Sequence, residues 1–148
     1  MNDPRTPVEQ ENLAQFDDLD FRVFSQAKWD EFSKSHAPDI VVHWPDGHTT
    51  EGLERHIQDM DWMFSYAPDT TIKAHPIKLA DGEWTAVVGV LEQTFTQPMK
   101  LPDGRTVQPT GKHVSLQMAT VSHWKDGKMD EEYLFWDNEA FNKQLGIQ

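Results

Sequence analysis

Met129-Asp-Glu-Glu-Tyr-Leu-Phe-Trp-Asp-Asn-Glu-Ala-Phe-Asn-Lys-Gln-Leu-Gly-Ile-Gln148 is the stretch whose reading decides the fold. It follows Lys125-Asp126-Gly127-Lys128, where an Asp-Gly pair between two strand-like runs marks a hairpin turn. Tyr133, Leu134, Phe135 and Trp136 are strong β-formers, and four in a row predict a strand covered on both faces. Asp137 comes next. A carboxylate there either caps a closing helix that runs through Leu145 and stops at Gly146, with Asp137 or Asn138 as N-cap, or projects into an apolar cavity.

Working outward, His113 to Trp124 reads as the partner strand, and Thr70 to Leu79 and Glu83 to Phe95 flank a second hairpin signal, Asp81-Gly82. Between these pairs, Gln97 to Lys112 holds Pro98, Pro102, Gly104, Pro109 and Gly111, a long loop of the kind that forms lids or mouths. Upstream, Glu51 to about Tyr66 predicts a helix capped by Thr50, with Leu53, Ile57, Met60 and Phe64 on one face and Trp62 and Met63 beside it. Ile40 to Trp44 is a short strand stopped by Pro45-Asp46-Gly47, and His48 to Thr50 returns from it. Leu13, Phe16, Leu19, Asp20, Val23 and Phe24 follow a helical period, and Trp29 and Phe32 continue it in a second short helix. The order predicts an α+β domain over residues 1–148.

Composition narrows the functions. Asp and Glu number 25 against 13 Lys and Arg, a net charge of -12 that repels nucleic acid and anionic membranes. There is no Cys, which removes disulfides, thiolate metal sites and Cys nucleophiles. No apolar run approaches a membrane span and no leader is evident at the start, so a cytoplasmic protein is expected. None of the seven His shows zinc-site spacing, and no metal is expected.

If Lys125 and Asp126 make a type I turn with Gly127 in a bulge, Trp124 lies opposite Lys128, Phe135 opposite Gln117 and Asp137 opposite Ser115. Ser115, Gln117, Ala119, Val121 and His123 then share one face with Tyr133, Phe135 and Asp137, and His113 continues it. That mixed face is expected to form a pocket. The other, carrying Leu116, Met118, Leu134 and Trp136, has no helix left to cover it, so a homodimer through it is expected.

Pro38-Asp39-Ile40-Val41-Val42-His43-Trp44-Pro45-Asp46-Gly47, Glu51-Gly52-Leu53, Pro109-Thr110-Gly111-Lys112 and Asp126-Gly127-Lys128 through Trp136-Asp137 to Gln144-Leu145-Gly146 carry a resemblance to the SnoaL-like polyketide cyclase family of the nuclear transport factor 2-like superfamily, over residues 10–147. The resemblance implies a cone-shaped α+β barrel, a curved, mostly antiparallel sheet wrapped by three or four helices around a pocket. It also implies cofactor-free aldol closure of a hydrophobic, carbonyl-rich small molecule, with Asp137 matching the acid/base carboxylate. Burial would raise its pKa and make it a stronger base. His113, on the same face, is the candidate to orient a substrate oxygen, and Trp44, Trp62, Met63, Gln117, Tyr133 and Phe135 are candidate pocket lining. Two further readings stay open: a binding module in which Asp137 only caps, and a hydrolase or dehydratase pairing Asp137 with a His. Against a hydrolase, no Arg stands clearly between two carboxylates in the pocket strands.

Overall fold

The computed structural model describes residues 3–147. Helix α1, Pro7–Asp18, starts with Pro7 in its first turn and a reciprocal cap in which Glu9 N donates to Thr6 Oγ1 and Thr6 N donates to Glu9 Oε1. It runs straight into a wide π-helical stretch, Leu19–Phe24, and a 3₁₀ segment follows at Trp29–Lys34. Helix α2 spans Leu53–Tyr66 and α3 spans Asn138–Leu145. The predicted N-cap of α2 is corrected: Gly52 holds that position at φ 92°, while Thr50 lies in a strand and accepts from Trp44 Nε1 at 3.0 Å.

The strands are β1 His36–His43, β2 Thr49–Glu51, β3 Thr71–Ile72, β4 Ile77–Asp81, β5 Trp84–Thr94, β6 Met99–Lys100, β7 Thr106–Val107, β8 His113–Lys125 and β9 Lys128–Phe135. Seven of them form one curved sheet in the order β2-β1-β9-β8-β5-β3, with β4 also on β5. Every pairing is antiparallel except β1 with β9, and the sheet does not close into a barrel. The long loop carries its own small hairpin, β6–β7.

The β8–β9 turn differs from the expected one. Lys125 pairs with Lys128 across a two-residue turn in which both Asp126, φ 52°, and Gly127, φ 80°, are left-handed. The bulge lies two residues later, between His123 and Trp124, and sets Ala119 opposite Phe135. Turn and bulge offset each other, so the predicted face groupings survive while the pairs shift by two residues.

What inverts is which face looks inward. Leu116, Leu134 and Trp124 are buried, whereas Ser115, Gln117 and Phe135 are exposed. Polar side chains among apolar ones mark the solvent side of this sheet, and the plainer face is the one that α1, α2 and α3 cover. A dimer through Leu116, Met118, Leu134 and Trp136 therefore has no surface to use.

Candidate active site

Between the inner face of the sheet, the helices and the β6–β7 hairpin lies a cavity of about 830 Å³. Its wall is mainly apolar, with Phe24, Met60, Leu91, Leu116, Met118 and Leu134 supplying much of it. Exposed side chains such as His48, Lys100 and Asn142 stand at the mouth, and Asp20, His36, His56 and Glu132 sit inside, with the Tyr66 phenol also on the wall. An apolar cavity with a few converging polar groups suits a small molecule whose orientation those groups fix.

Asp20 is placed by the π-helical stretch, whose extra width turns Leu19, Asp20 and Phe24 onto the cavity wall. Its Oδ2 lies 2.7 Å from His75 Nε2, and His75 Nδ1 lies 2.7 Å from Asp17 Oδ1; the other oxygen of Asp17 takes Lys78 Nζ at 2.8 Å. The ring is held between Phe16 and Phe21, with only 2% of its side chain accessible. Burial pushes the Asp20 carboxyl up, and the His75 contact opposes this without reversing it. Burial alone would lower the imidazole, yet Asp20 and Asp17 outweigh it and its pKa is raised. Burial thus keeps the carboxyl raised, while the two carboxylates keep the imidazole raised. Asp20 keeps 14% of its side chain open, and it lines the cavity, so it is desolvated but reachable.

Glu132 on β9 is 3% exposed, with His56 Nε2 at 2.9 Å and His36 Nε2 at 3.6 Å from its Oε1. Burial pushes this carboxyl up, but the charge and contacts of His56 and His36 hold it well below the usual carboxylate range. The influence of Glu132 and His36 also reaches Asp20, so the two groups share one field.

The structure brings only part of the expected site together. Trp44, Trp62 and Met63 line the cavity, and Trp62 donates from Nε1 to the Lys100 carbonyl at 2.6 Å, tying α2 to the mouth hairpin. The other five residues lie elsewhere. Asp137 is exposed and caps α3, accepting from Ala140 N at 3.1 Å, so the burial expected of it is absent. His113 is exposed on the outer face against Thr94 and Glu92, and Gln117 is exposed opposite Val90. Tyr133 stacks on His43 at 3.9 Å and Phe135 is 52% exposed, both on the outer face.

Sequence reasoning missed Asp20, His75, His36, His56 and Glu132 as site residues, although three of them left a signal. Glu132 shares its strand face with Leu134 and Trp136, an acid beside two large apolar residues. His56 stands three residues after Leu53 and four before Met60, inside the apolar stripe of α2. Asp20 lies four residues from both Phe16 and Phe24 in the same way.

The family model for SnoaL-like polyketide cyclases matches residues 12–145. The chain belongs to that family. Among solved structures it is similar to a candidate SnoaL-like polyketide cyclase from Jannaschia sp. CCS1, with 21% identity, 99% of each chain covered and a TM-score of 0.84. It is also similar to IdmH, a candidate polyketide cyclase from Streptomyces antibioticus, at 22% identity over 94% of this chain and 99% of that one, TM-score 0.74. AclR, a candidate hydroxylase from Streptomyces galilaeus, aligns at 19% identity over 93% and 82%, TM-score 0.77. At these identities the structural likenesses show the fold alone, and fold does not settle chemistry. No curated protein matches the chain.

Proposed function

We propose that the protein is a cyclase-type enzyme that moves protons on a hydrophobic, carbonyl-rich small molecule, with Asp20 as the base. The observation that carries this reading is a desolvated but reachable carboxylate, backed by a buried histidine, on the wall of a mainly apolar cavity. Asp20 takes a proton from a carbon flanked by carbonyls, and the electron pair passes into the enolate oxygen. The enolate carbon then bonds to a second carbonyl of the same molecule, whose oxygen takes the proton back. The proton transfers need no group beyond Asp20 and His75, since the substrate delocalises the charge. A raised carboxylate pKa favours the transfer, and such help is worth roughly 10²–10⁴-fold. The apolar wall and Trp44, Trp62 and Met63 supply placement.

The test needs no natural substrate. Proton NMR in D2O follows exchange of the acidic C–H of aromatic 1,3-dicarbonyl compounds. The native protein should speed exchange, and Asp20→Asn should lose about 100-fold or more of that rate while melting normally. Compounds that quench tryptophan fluorescence without exchanging would instead favour a binding module, and water addition or ester cleavage would favour a hydrolase or dehydratase. Assembly as a homodimer through the outer face of the sheet belongs to the same proposal.

A further inference from the structure

The proton step at Asp20 leaves three buried side chains of the cavity wall unused, namely His36 from β1, His56 from α2 and Glu132 from β9. One donor atom of each lies within 4.8 Å of the other two. A first-row metal ion holds imidazole nitrogen and carboxylate oxygen at about 2.0–2.2 Å, so neighbouring ligands on one ion stand about 2.9–3.5 Å apart. The contacts to Glu132 Oε1, 2.9 Å from His56 and 3.6 Å from His36, lie at and just beyond that spacing, and the two imidazole nitrogens are within 4.8 Å, so small side-chain shifts bring the trio onto one ion.

A simple ion pair explains the geometry less well. Despite the 2.9 Å approach of His56 Nε2, no hydrogen bond of acceptable geometry closes on Glu132 Oε1. Oxygen and nitrogen stand side by side without aiming at one another, as donors do that face a common third point. Buried polar atoms left in this way are uncommon. His36 adds a tautomer argument. Its Nδ1 lies 3.2 Å from the Phe32 carbonyl, an acceptor, and 2.9 Å from Ser35 Oγ, so in the neutral ring the proton sits on Nδ1 and Nε2 turns a lone pair toward the carboxylate. In a buried place two such electron-rich atoms repel unless a cation lies between them. A backbone carbonyl on the far ring nitrogen is the usual support of a metal-ligating histidine.

We propose that His36, His56 and Glu132 form a site for one divalent transition-metal ion, with its open positions turned to the cavity. Two imidazoles and one carboxylate suit zinc, cobalt(II) or iron(II) better than calcium or magnesium, which prefer oxygen ligands. Because the trio lines the cavity that Asp20 also lines, the open positions face a bound molecule, and the ion would polarise one of its carbonyl oxygens. This inference goes beyond the reading of Asp20 as the base and does not depend on it. Its rival is a proton, which would hold the same trio together as an imidazolium–carboxylate cluster.

The test uses the whole chain, stripped with EDTA and then freed of chelator. Calorimetric titration with Zn²⁺ should show one ion per chain at micromolar affinity or tighter, weakening as pH falls because protons compete for the same ligands. Co²⁺ should add visible absorption bands, and Zn²⁺ should shift the ring-nitrogen NMR signals of His36 and His56 in the native protein, a readout that needs no variant. Glu132→Gln and His56→Gln should each weaken binding by about 100-fold or more. His123→Ala, which removes an outer-face histidine paired with Asp130, should not. Absence of heat and of cobalt bands at submillimolar ion would overturn the site. So would binding that leaves the His36 and His56 signals unmoved, or that disappears with His123→Ala. Loss of metal binding with intact C–H exchange at Asp20 would sink this inference and leave the proposed function standing.

Discussion

Asp137 and Asp20 show how one residue type serves two purposes. Asp137 stands where chain direction changes, and its carboxylate satisfies a backbone N–H of α3. Asp137→Asn should therefore hold its stability to within about 0.5 kcal/mol and keep its C–H exchange rate, whereas Asp137→Ala should lose about 1 kcal/mol in urea denaturation. Glu132 makes a prediction in pH. Its folded pKa is depressed below the ordinary value of 4.5, so its contribution to stability is present above pH 4.5 and is lost as pH falls through the folded value. His75 runs the other way. Its folded pKa is raised above 6.5, so its contribution is complete below pH 6.5 and is lost as pH rises through the folded value. Urea midpoints measured across pH in chelator should thus fall on the acid side less steeply for Glu132→Gln than for the native chain. On the alkaline side they should fall less steeply for His75→Gln. Parallel curves for variant and native protein would refute the corresponding assignment.

The elements were legible wherever local chemistry fixed them. Asp126-Gly127 and Asp81-Gly82 do make hairpins, Gly146 does stop α3 at φ 81°, and the Pro-rich stretch does stand at the cavity mouth, where Met99, Lys100, Leu101 and Pro102 line it. Features set by tertiary contact were not. The parallel pairing of β1 with β9 joins segments far apart in the chain, such as Val42 with Glu132, and the bulge at His123/Trp124 answers the twist of the sheet, for which no local residue pattern stands. Gly89 on β5 is a case of the second kind. A Cβ there would meet His75 Cδ2 and Ile72 Cγ2, each at 3.4 Å, so the bare backbone gives the ring room to stand between Asp17 and Asp20. Gly89→Ala, at ordinary contact distance, should be tolerated. Gly89→Val should cost about 1–3 kcal/mol and slow C–H exchange together, because the added methyls displace the ring that holds Asp20. A Gly89→Val protein with native exchange rate would show that His75 does not position the base.

At the scale of the molecule, the sequence separated the two faces of the sheet correctly but assigned the pocket to the wrong one, since the helices cover the plainer face. Amphipathy cannot decide this when both faces are apolar, and here the outer one is: Ile77, Leu79, Trp84 and Phe135 are 51%, 61%, 40% and 52% exposed. Val88, Val90, Ala119 and Val121 lie between them on the same face. No helix of the described residues covers this patch, and a chain with net charge -12 gains nothing by leaving it wet. A second copy is the partner best matched to it, since a two-fold pairing sets apolar strand against apolar strand and keeps the acidic helical side in water. Light scattering at micromolar protein should give twice the 17.1 kDa chain mass. Leu79→Glu and Phe135→Glu should give the single-chain mass with little change in melting, because both side chains already face outward in the isolated chain. Leu134→Glu should instead unfold the protein, since it would bury a charge in the cavity wall. A native chain that scatters as a monomer would remove the dimer, and a dimer untouched by Leu79→Glu and Phe135→Glu would place its interface on another surface.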